Sequence, residues 1–326
     1  MSAVETAGPC WVYVTGFGRS GSTFLGRQLA LFADAMVLGE VASADRAMSL
    51  PQHHCSCGKL AEECPVWGTL HYPDARRVGR ESGKGWGTLL LPKAAVARSV
   101  PDPIDLALED SPLVQGHTLL VDISKTTRNT AGRPYYLYAR MGFDVRCVFI
   151  FRDWRAVQES DFAKRRRRHQ SLSKSARVLS SVKLGLSWSL ANFAAMLVEL
   201  RLPANSCTRV RYEDLAQSPE LTVAAVLDSL RIPIQRQEQP HEHLVAGNRM
   251  RDQKLSNNSG RPSGRERVTR FERASFLLFG CGGVLVTERL KATDQARSGG
   301  SGKDTTLTLT EAPASDPTLM TQDKKR

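Results

Sequence analysis

The hydrophobic and polar positions along the chain form short apolar runs separated by longer segments with helical spacing. We predict a β-strand at each of four apolar runs, residues 11–15, 117–124, 144–151 and 207–215. Amphipathic spacing predicts a helix that begins at Ser22 and Thr23, and further helices over 175–202 and 218–232. Strands that alternate with helices favour a parallel sheet with helices on both faces. The predicted fold class is therefore α/β, a three-layer α/β/α architecture with a central parallel sheet.

The same pattern divides the chain into one domain and a tail. Residues 1–292 carry all of the predicted strands and helices, so we predict a single α/β domain there. Within it, residues 40–116 are less regular and rich in Pro, Gly and Cys, and we expect a lid or a substrate-side insertion. Residues 293–326 are polar and poor in large apolar residues, which predicts a disordered C-terminal tail.

Three features of the sequence bear on where the protein works. No run of eighteen apolar residues occurs, so we expect no transmembrane helix. The first residues lead into the first strand without a basic segment and an apolar core, so we expect no signal peptide. The seven cysteines are an odd number and mostly scattered, which favours a reducing compartment. We therefore predict a cytoplasmic protein.

The composition is strongly basic. Lys and Arg number 45 against 33 Asp and Glu, and the formal net charge is +12. This balance indicates an anionic ligand, a nucleic acid or an anionic surface, without choosing among them. The run KRRRRHQ at 164–170 concentrates five basic residues, but no aromatic residues lie between them. Because single-strand binding platforms need such aromatics, we expect no nucleic-acid partner.

A glycine-rich loop lies between the first predicted strand and the first predicted helix. In the stretch YVTGFGRSGSTFL, Gly16, Gly21 and Thr23 fit the phosphate-loop pattern G-x-x-x-x-G-K-[ST], but Ser22 stands where that pattern has lysine. Backbone N–H groups and a helix N-terminus there would still hold an oxyanion. Arg19 is the only cation within the loop, and its guanidinium can bridge two oxygens.

A second candidate anion site follows the third predicted strand. The segment VFIFRDWRAVQESDF places Arg152 after that strand and Ser160 on the helix that follows. A guanidinium and a hydroxyl can bind one phosphate together. The alternative is an ordinary helix start with Asp153 as its N-cap.

The two motifs together resemble the sulfotransferase family that uses 3′-phosphoadenosine-5′-phosphosulfate. GRSGSTFL is similar to the family's 5′-phosphosulfate loop in its Arg-bearing form. RDWRAVQES is similar to its 3′-phosphate motif, with Trp154 in place of the usual proline. Further similar segments follow in the family's order, namely VDISK (121–125), LSWSLAN (186–192), VRYEDL (210–215) and HLVAGNRMR (243–251).

The resemblance implies which residues hold the sulfuryl donor, a nucleotide that needs no Mg²⁺. It assigns the 5′ end to the loop residues Arg19, Ser20, Gly21, Ser22 and Thr23. It assigns the 3′-phosphate to Arg152 and Ser160, and a late closing segment to Gly247, Asn248, Arg249 and Arg251. The expected reaction is transfer of a sulfuryl group to a hydroxyl of a small molecule, a glycan or a lipid.

In-line transfer to a hydroxyl needs a base beside that hydroxyl. Glu40 follows the first helix, where similar bacterial sequences often carry a Gly-Glu pair, and is our first candidate. His53 and His54 are the alternatives, and a surface role for Glu40 also stays open. Lys125, after the second predicted strand, is expected to contact the transferred group or the acceptor.

The segment HHCSCGKLAEECPVW at 53–67 holds a compact group of cysteines. Cys55, Cys57 and Cys64 with His53 or His54 form a candidate zinc set. A disulfide and free thiols are the other possibilities. We assign no catalytic metal to the protein.

Two other classes of function remain compatible with the sequence. A P-loop kinase or NTPase that lost its lysine would bind ATP with Mg²⁺, using Asp122 as the acidic partner. A basic nucleic-acid-binding protein would bind DNA or RNA in a salt-sensitive way.

Overall fold

The computed structural model describes residues 9–44, 48, 53–69, 85–111, 114, 116–125, 130–167, 173–239, 241–245 and 268–299. The chain divides into two units, residues 1–287 and 288–326. The first unit contains the sheet and every site described below. Of the second unit, the structure describes only the end of a long helix that reaches Gly299.

A six-stranded sheet with every neighbouring pair parallel forms the centre of the first unit. Its strands are β1 (Cys10–Thr15), β2 (Ala35–Gly39), β3 (Leu119–Asp122), β4 (Val145–Phe151), β5 (Cys207–Arg211) and β6 (His241–Glu242). Their order across the sheet is β5-β4-β1-β3-β2-β6. Along the chain, β2 and β3 lie on one side of β1, β4 and β5 lie on the other side, and β6 returns to pair with β2.

Helices connect the strands. They are α1 (Ser22–Phe32), α2 (Trp86–Leu90), α3 (Lys93–Val96), α4 (Pro103–Glu109), α5 (Arg133–Tyr136), α6 (Trp154–Arg167), α7 (Lys174–Arg201), α8 (Tyr212–Gln217), α9 (Pro219–Ser229) and α10 (Arg270–Gly299). Short 3₁₀ turns cover Val41–Ser43 and Ala61–Glu63, and a π-helical turn continues α5 over Leu137–Met141.

Alternate residues of the central strand enter two different cores. Trp11 and Tyr13 of β1 pack with residues of the 40–116 insertion, α5 and α7. Val12 and Val14 pack on the opposite face with α1 and α9. Because successive strand residues point to opposite faces, these two cores show that helices cover both faces. The predicted three-layer α/β/α class is confirmed.

The predicted strands and helices are present, with differences at their ends. The apolar run predicted as a strand over 207–215 ends as a strand at Arg211, and its second half forms α8. Strands β2 and β6 were not predicted from the sequence. Only two residues separate the end of α1 from the start of β2, so the apolar residues of β2 extend the helical pattern. The helix α10 passes the predicted start of the tail at 293, and residues 300–326 lie outside the described residues.

Within the described part of the chain, α7 is the single helix that is long and apolar enough to cross a membrane. Half of its apolar window is buried inside the protein. Core helices of proteins outside membranes pass the same test, so this result is weak support for a span.

Helices α6, α7 and α10 are held together by close packing and polar contacts. A Cβ at Gly185 on α7 would collide with the backbone of Phe276 on α10, so the two helices touch there. The buried Gln158 on α6 donates both to Ser181 Oγ on α7 and to the Glu272 carbonyl on α10, each at 3.0 Å. These contacts set the position of α6, the helix that carries Ser160.

Candidate functional site

The carboxyl ends of the parallel strands bring most of the candidate residues to one edge of the sheet. The loop from Gly16 follows β1, Glu40 follows β2, Lys125 lies three residues after β3, and Arg152 follows β4. The strand order changes direction at β1, which lies between β3 and β4. In open α/β sheets, ligands bind in the crevice at such a switch point.

The glycine-rich loop is pressed against β4 and α8. Gly16 and Gly21 have φ angles of 130° and 92°, a region that side chains other than glycine rarely adopt. A Cβ at Gly16 would collide with the Ile150 carbonyl, and one at Gly21 would collide with the ring of Tyr212. Arg19 also has a positive φ, 79°. The two glycines therefore allow a tight cradle next to β4, the strand that Arg152 directly follows.

The cradle has the properties of an anion site. Helix α1 begins at Ser22 with no side-chain cap on its first N–H groups and no acidic residue in its first turn. Uncapped N–H groups at a helix start attract anions. Ser20 is buried, and its Oγ has no hydrogen-bond partner among the residues that the structure describes. A buried hydroxyl without a partner is costly, so a ligand oxygen there would satisfy it.

Arg152 connects the two motifs predicted from the sequence. Its Nη1 donates to the carbonyl of Arg19 at 2.9 Å, and its guanidinium lies 4.1 Å from the centre of the Tyr212 ring. The side chain is buried, and its Nε has no hydrogen-bond partner in the described parts of the chain. Burial raises the pKa of Tyr212, so this ring stays neutral beside the cation. A buried guanidinium with an unused donor fits an anionic ligand.

Of the other residues predicted to bind the sulfuryl donor, only some lie in the part of the chain that the structure describes. Ser160 lies on α6, about two turns after Arg152, and is half-buried. Gly247, Asn248, Arg249 and Arg251 lie outside the described residues. Of the basic run at 164–170, residues 164–167 form the end of α6.

Glu40 and Lys125, predicted separately as base and substrate contact, form an ion pair. Lys125 Nζ donates to Glu40 Oε1, and the two side chains are 14% and 22% exposed, Lys125 first. The Lys125 carbonyl accepts from Tyr13 Oη at 3.1 Å and from Thr130 Oγ1 at 2.8 Å, which fixes its φ of 67°. The pair is thus held at the edge of the sheet, partly open to solvent.

Asp122 is enclosed in a buried ionic network. Arg133 donates to Asp122 Oδ2 through Nε at 2.8 Å, and to both carboxylate oxygens of Asp105 at 2.9 and 2.6 Å. All three side chains are fully buried. Asp122 Oδ1 also accepts from the backbone N–H of Ser124 at 2.8 Å. Asp122 therefore orders the end of β3, and its carboxylate does not face an open site.

The cysteine cluster contains a different histidine from the one that the sequence predicts. His243, after β6, lies with its Nδ1 3.2 Å from Cys64 Sγ and 3.9 Å from Cys55 Sγ. His53 instead contacts the Val245 carbonyl, so its assignment to the cysteine set is corrected. His54 is exposed on a β-bridge to Leu60. Hydrogen bonds from Cys55 and then His243 lower the pKa of Cys64 to about 4.

Sequence reasoning missed three residues that contact the candidate residues, directly or through one another. They are Asp105 and Arg133, in the network of Asp122, and His243, in the cysteine cluster. Asp105 and Arg133 lie on α4 and α5, in segments that carry no motif. His243 follows a two-residue strand, which is too short to give a periodic signal.

Comparison with known proteins gives one family match and several structural ones. The family model described as "Sulfotransferase family" matches residues 125–236, the segment that contains Arg152 and Ser160. A search of the curated proteins gives no significant match.

Three solved structures are similar to this chain. A sulfotransferase from Alicyclobacillus acidocaldarius is 13% identical with a TM-score of 0.48, covering 86% of this chain and 94% of that one. The sulfotransferase domain of the Synechococcus PCC 7002 olefin synthase is 17% identical with a TM-score of 0.41, covering 71% and 76%. A Mycobacterium tuberculosis sulfotransferase is 16% identical with a TM-score of 0.41, covering 88% and 77%.

The matched segment runs from the lysine after β3, through Arg152 and the helix that follows it, to the residues beyond α9. This match to residues 125–236 supports assignment of the chain to the sulfotransferase family.

Proposed function

We propose that the protein transfers a sulfuryl group from 3′-phosphoadenosine-5′-phosphosulfate to a hydroxyl group of an acceptor. One observation carries the proposal. Two buried donors at the switch point of the sheet, Ser20 Oγ and Arg152 Nε, have no hydrogen-bond partner among the described residues. Groups of this kind fit a phosphorylated ligand that lies across the loop and the end of β4.

The loop side of the site suits the 5′ end of the donor. When bound, this nucleotide supplies an activated sulfuryl group on its 5′-phosphate. The N–H groups at the start of α1, the Ser20 hydroxyl and Arg19 would hold the 5′ end, with Gly21, Ser22 and Thr23 in the same turn. Donors aimed at charge that develops on a leaving phosphate lower the barrier to transfer.

The β4 side suits the 3′-phosphate. Arg152 would bind it through the unused Nε, and Ser160 on α6 would add a hydroxyl. We assign the late contacts to Gly247, Asn248, Arg249 and Arg251, as the family resemblance implies. A 3′-phosphate distinguishes this donor from ordinary adenosine phosphates.

The acceptor side is assigned to the Glu40–Lys125 pair. Glu40 would take the proton of the acceptor hydroxyl, and Lys125 would hold the carboxylate in place. The acceptor class is a hydroxyl on a small molecule, a glycan or a lipid. Since none of the seven cysteines forms a disulfide, a reducing compartment such as the cytoplasm suits the protein.

The kinase or NTPase alternative is less compatible with the site. That chemistry needs a lysine in the loop and an acidic residue that reaches Mg²⁺. The loop has Ser22 in place of the lysine, and Asp122 is paired with Arg133 in the interior.

The test is nucleotide binding by calorimetry in the absence of Mg²⁺. The wild-type protein should bind adenosine 3′,5′-bisphosphate more tightly than adenosine 5′-phosphate. Arg152→Met should weaken the bisphosphate about 10- to 100-fold, because charge-assisted hydrogen bonds are worth about 1.5–3 kcal/mol. Adenosine 5′-phosphate should be affected much less.

The matched control is Arg155→Met, which removes an exposed arginine one turn away that pairs with Asp153. It should leave both affinities unchanged. Ser160→Ala is a smaller change that should weaken only the bisphosphate. If Arg152→Met and Ser160→Ala each weaken the binding of both nucleotides equally, the assignment of the 3′-phosphate to these two residues is wrong. Binding of ATP that requires Mg²⁺, with no preference for a 3′-phosphate, would favour the kinase instead.

A further inference from the structure

We propose that Cys55, Cys57, Cys64 and His243 bind one structural zinc ion. The four ligand atoms, three sulfurs and the imidazole nitrogen, all lie within 4.8 Å of one another. Cys55 and Cys64 are buried, whereas Cys57 is exposed and His243 is half-buried. The cluster therefore has a closed inner side and an open side through which an ion can enter.

The distances suit tetrahedral coordination. With Zn–S of about 2.3 Å and Zn–N of about 2.0–2.1 Å, a tetrahedral site separates a sulfur and a nitrogen by about 3.6 Å. His243 Nδ1 lies 3.2 Å from Cys64 Sγ and 3.9 Å from Cys55 Sγ, on either side of this value. Small side-chain movements would bring all four atoms to one ion.

The backbone already holds the first two cysteines in a compact turn. The Cys55 N–H donates to the Lys59 carbonyl at 2.9 Å, and the Gly58 N–H donates to the Cys55 carbonyl at 3.0 Å. Gly58, directly after Cys57, has a φ of 89° and closes the turn. Cys55 and Cys57 are thereby kept close together before any ion binds.

The fourth ligand is held independently by other contacts. The His243 N–H donates to the Val37 carbonyl at 2.8 Å, which continues the pairing of β6 with β2. The His243 carbonyl accepts from Trp67 Nε1 at 2.5 Å. Ser56 donates through Oγ to the Glu242 carbonyl at 3.1 Å and accepts from the Leu244 N–H at 2.9 Å. The two segments are thus joined around the cluster by the backbone.

The ligand types select the metal and its role. Three thiolates and one imidazole are a soft set that zinc occupies in closed structural sites. A catalytic zinc would need an open position for water and fewer protein ligands. A disulfide would account for only two of the three cysteines. It would not explain why the third cysteine and His243 lie at the same place, whereas one shared ion explains all four. His243 follows β6 at the edge of the sheet, three strands away from β1, which leads into the glycine-rich loop.

The zinc would link two regions that the proposed function uses. Residues 53–67 belong to the predicted lid or substrate-side insertion at 40–116, and His243 comes four residues before Gly247, the start of the proposed closing segment. This consequence rests on the proposed function, whereas the zinc site itself does not. Because structural zinc contributes directly to folding, its loss should loosen the insertion.

The test measures zinc in the protein purified without added metal. Elemental analysis should find about one zinc per chain in the wild type, as a four-ligand site requires. Cys57→Ser removes an exposed ligand with the least disturbance to the core and should lower the zinc content to a small fraction of this. Cys281→Ser is the matched control, since Cys281 is an exposed thiol on α10 outside the cluster. It should keep the full zinc content.

A second measurement does not depend on any variant. After removal of zinc by a chelator, the wild-type protein should take up one Co²⁺ and show thiolate-to-cobalt charge-transfer absorption. Zinc well below one per chain together with no such absorption would overturn the proposal. A disulfide between two of the three cysteines, found by mass spectrometry of the unreduced protein, would also overturn it. Neither outcome bears on nucleotide binding, so failure here is distinguishable from failure of the proposed function.

Discussion

Glu40 and Lys125 meet at the ends of adjacent strands although 85 residues separate them. Each occupies a position where the backbone has just left the sheet. The Glu40 carboxylate is partly exposed, and Lys125 is anchored through its carbonyl by Tyr13 and Thr130. A carboxylate held in this way is available to a hydroxyl that approaches the loop.

Glu40→Gln should lower the turnover of an aliphatic alcohol acceptor by about 10²–10⁴, because a positioned base supplies that factor. Glutamine keeps the size and the hydrogen bonding but takes no proton at neutral pH. Donor affinity, which we propose to depend on Arg152 and the loop, should be nearly unchanged. Turnover is measured with labelled donor and calorimetry follows binding.

The control for this variant is Glu63→Gln, at an exposed position. An ionised nitrophenol acceptor needs no base and should suffer a much smaller loss with Glu40→Gln. If Glu40→Gln turns over the aliphatic alcohol at the wild-type rate, the base lies elsewhere and His53 and His54 are substituted next.

At the scale of secondary structure elements, the ion pair of Glu272 and Arg177 joins the beginnings of α10 and α7. Arg177 donates to both Glu272 oxygens, one of them at 3.2 Å, and the Thr269 N–H adds a bond at 2.8 Å. The hydrogen bond from Arg177 is the main cause that lowers the pKa of Glu272 below its ordinary 4.5. The two helices are therefore joined most strongly when Glu272 is ionised.

The direction of this pKa change predicts how stability depends on pH. Since the folded pKa lies below the unfolded one, the stabilisation is complete above about pH 4.5 and is lost as the pH falls through the folded pKa. Glu272→Gln should therefore lower the free energy of unfolding at pH 7 by about 1–3 kcal/mol. The difference from wild type should shrink in acid. Urea unfolding at both pH values measures it.

Glu238→Gln is the control, because Glu238 is exposed and lies in the loop after α9. It should leave the stability unchanged at either pH. A Glu272→Gln deficit that stays equal between pH 7 and strongly acidic solution would show that ionisation of Glu272 is not its source.

At the scale of the whole molecule, the sheet, both cores and every candidate site belong to residues 1–287. The region after Gly299 is rich in Thr, Asp and Lys and poor in large apolar side chains. Such a composition buries too little apolar surface to offset the entropy of ordering. The predicted disordered tail stays a prediction for these residues.

A chain that ends at Gly299 should keep the melting temperature and the donor affinity of the full chain. The physical reason is that the removed residues contribute little apolar burial. Thermal unfolding and calorimetry of the two chains measure this. A fall of several degrees in the melting temperature would mean that the tail packs on the domain.

Parts of the fold and the site could be predicted because they are encoded in contiguous residues. The run at 144–151 is apolar enough to form a buried strand wherever it lies, and the glycines of the phosphate loop are required by local backbone geometry. The same holds for Arg152, which follows that strand directly. These features depend on neighbours within a few residues, and the sequence alone therefore predicted the fold class. The two anion motifs stay predictions.

The tertiary structure decided the features that join distant residues. Strand order puts β2 beside β3, and only this pairs Glu40 with Lys125. The pairing of β6 with β2 brings His243 to cysteines 179 and 188 residues away, in place of the nearby His53. Local sequence patterns do not predict which strands become neighbours, because the strand order depends on how the whole core packs.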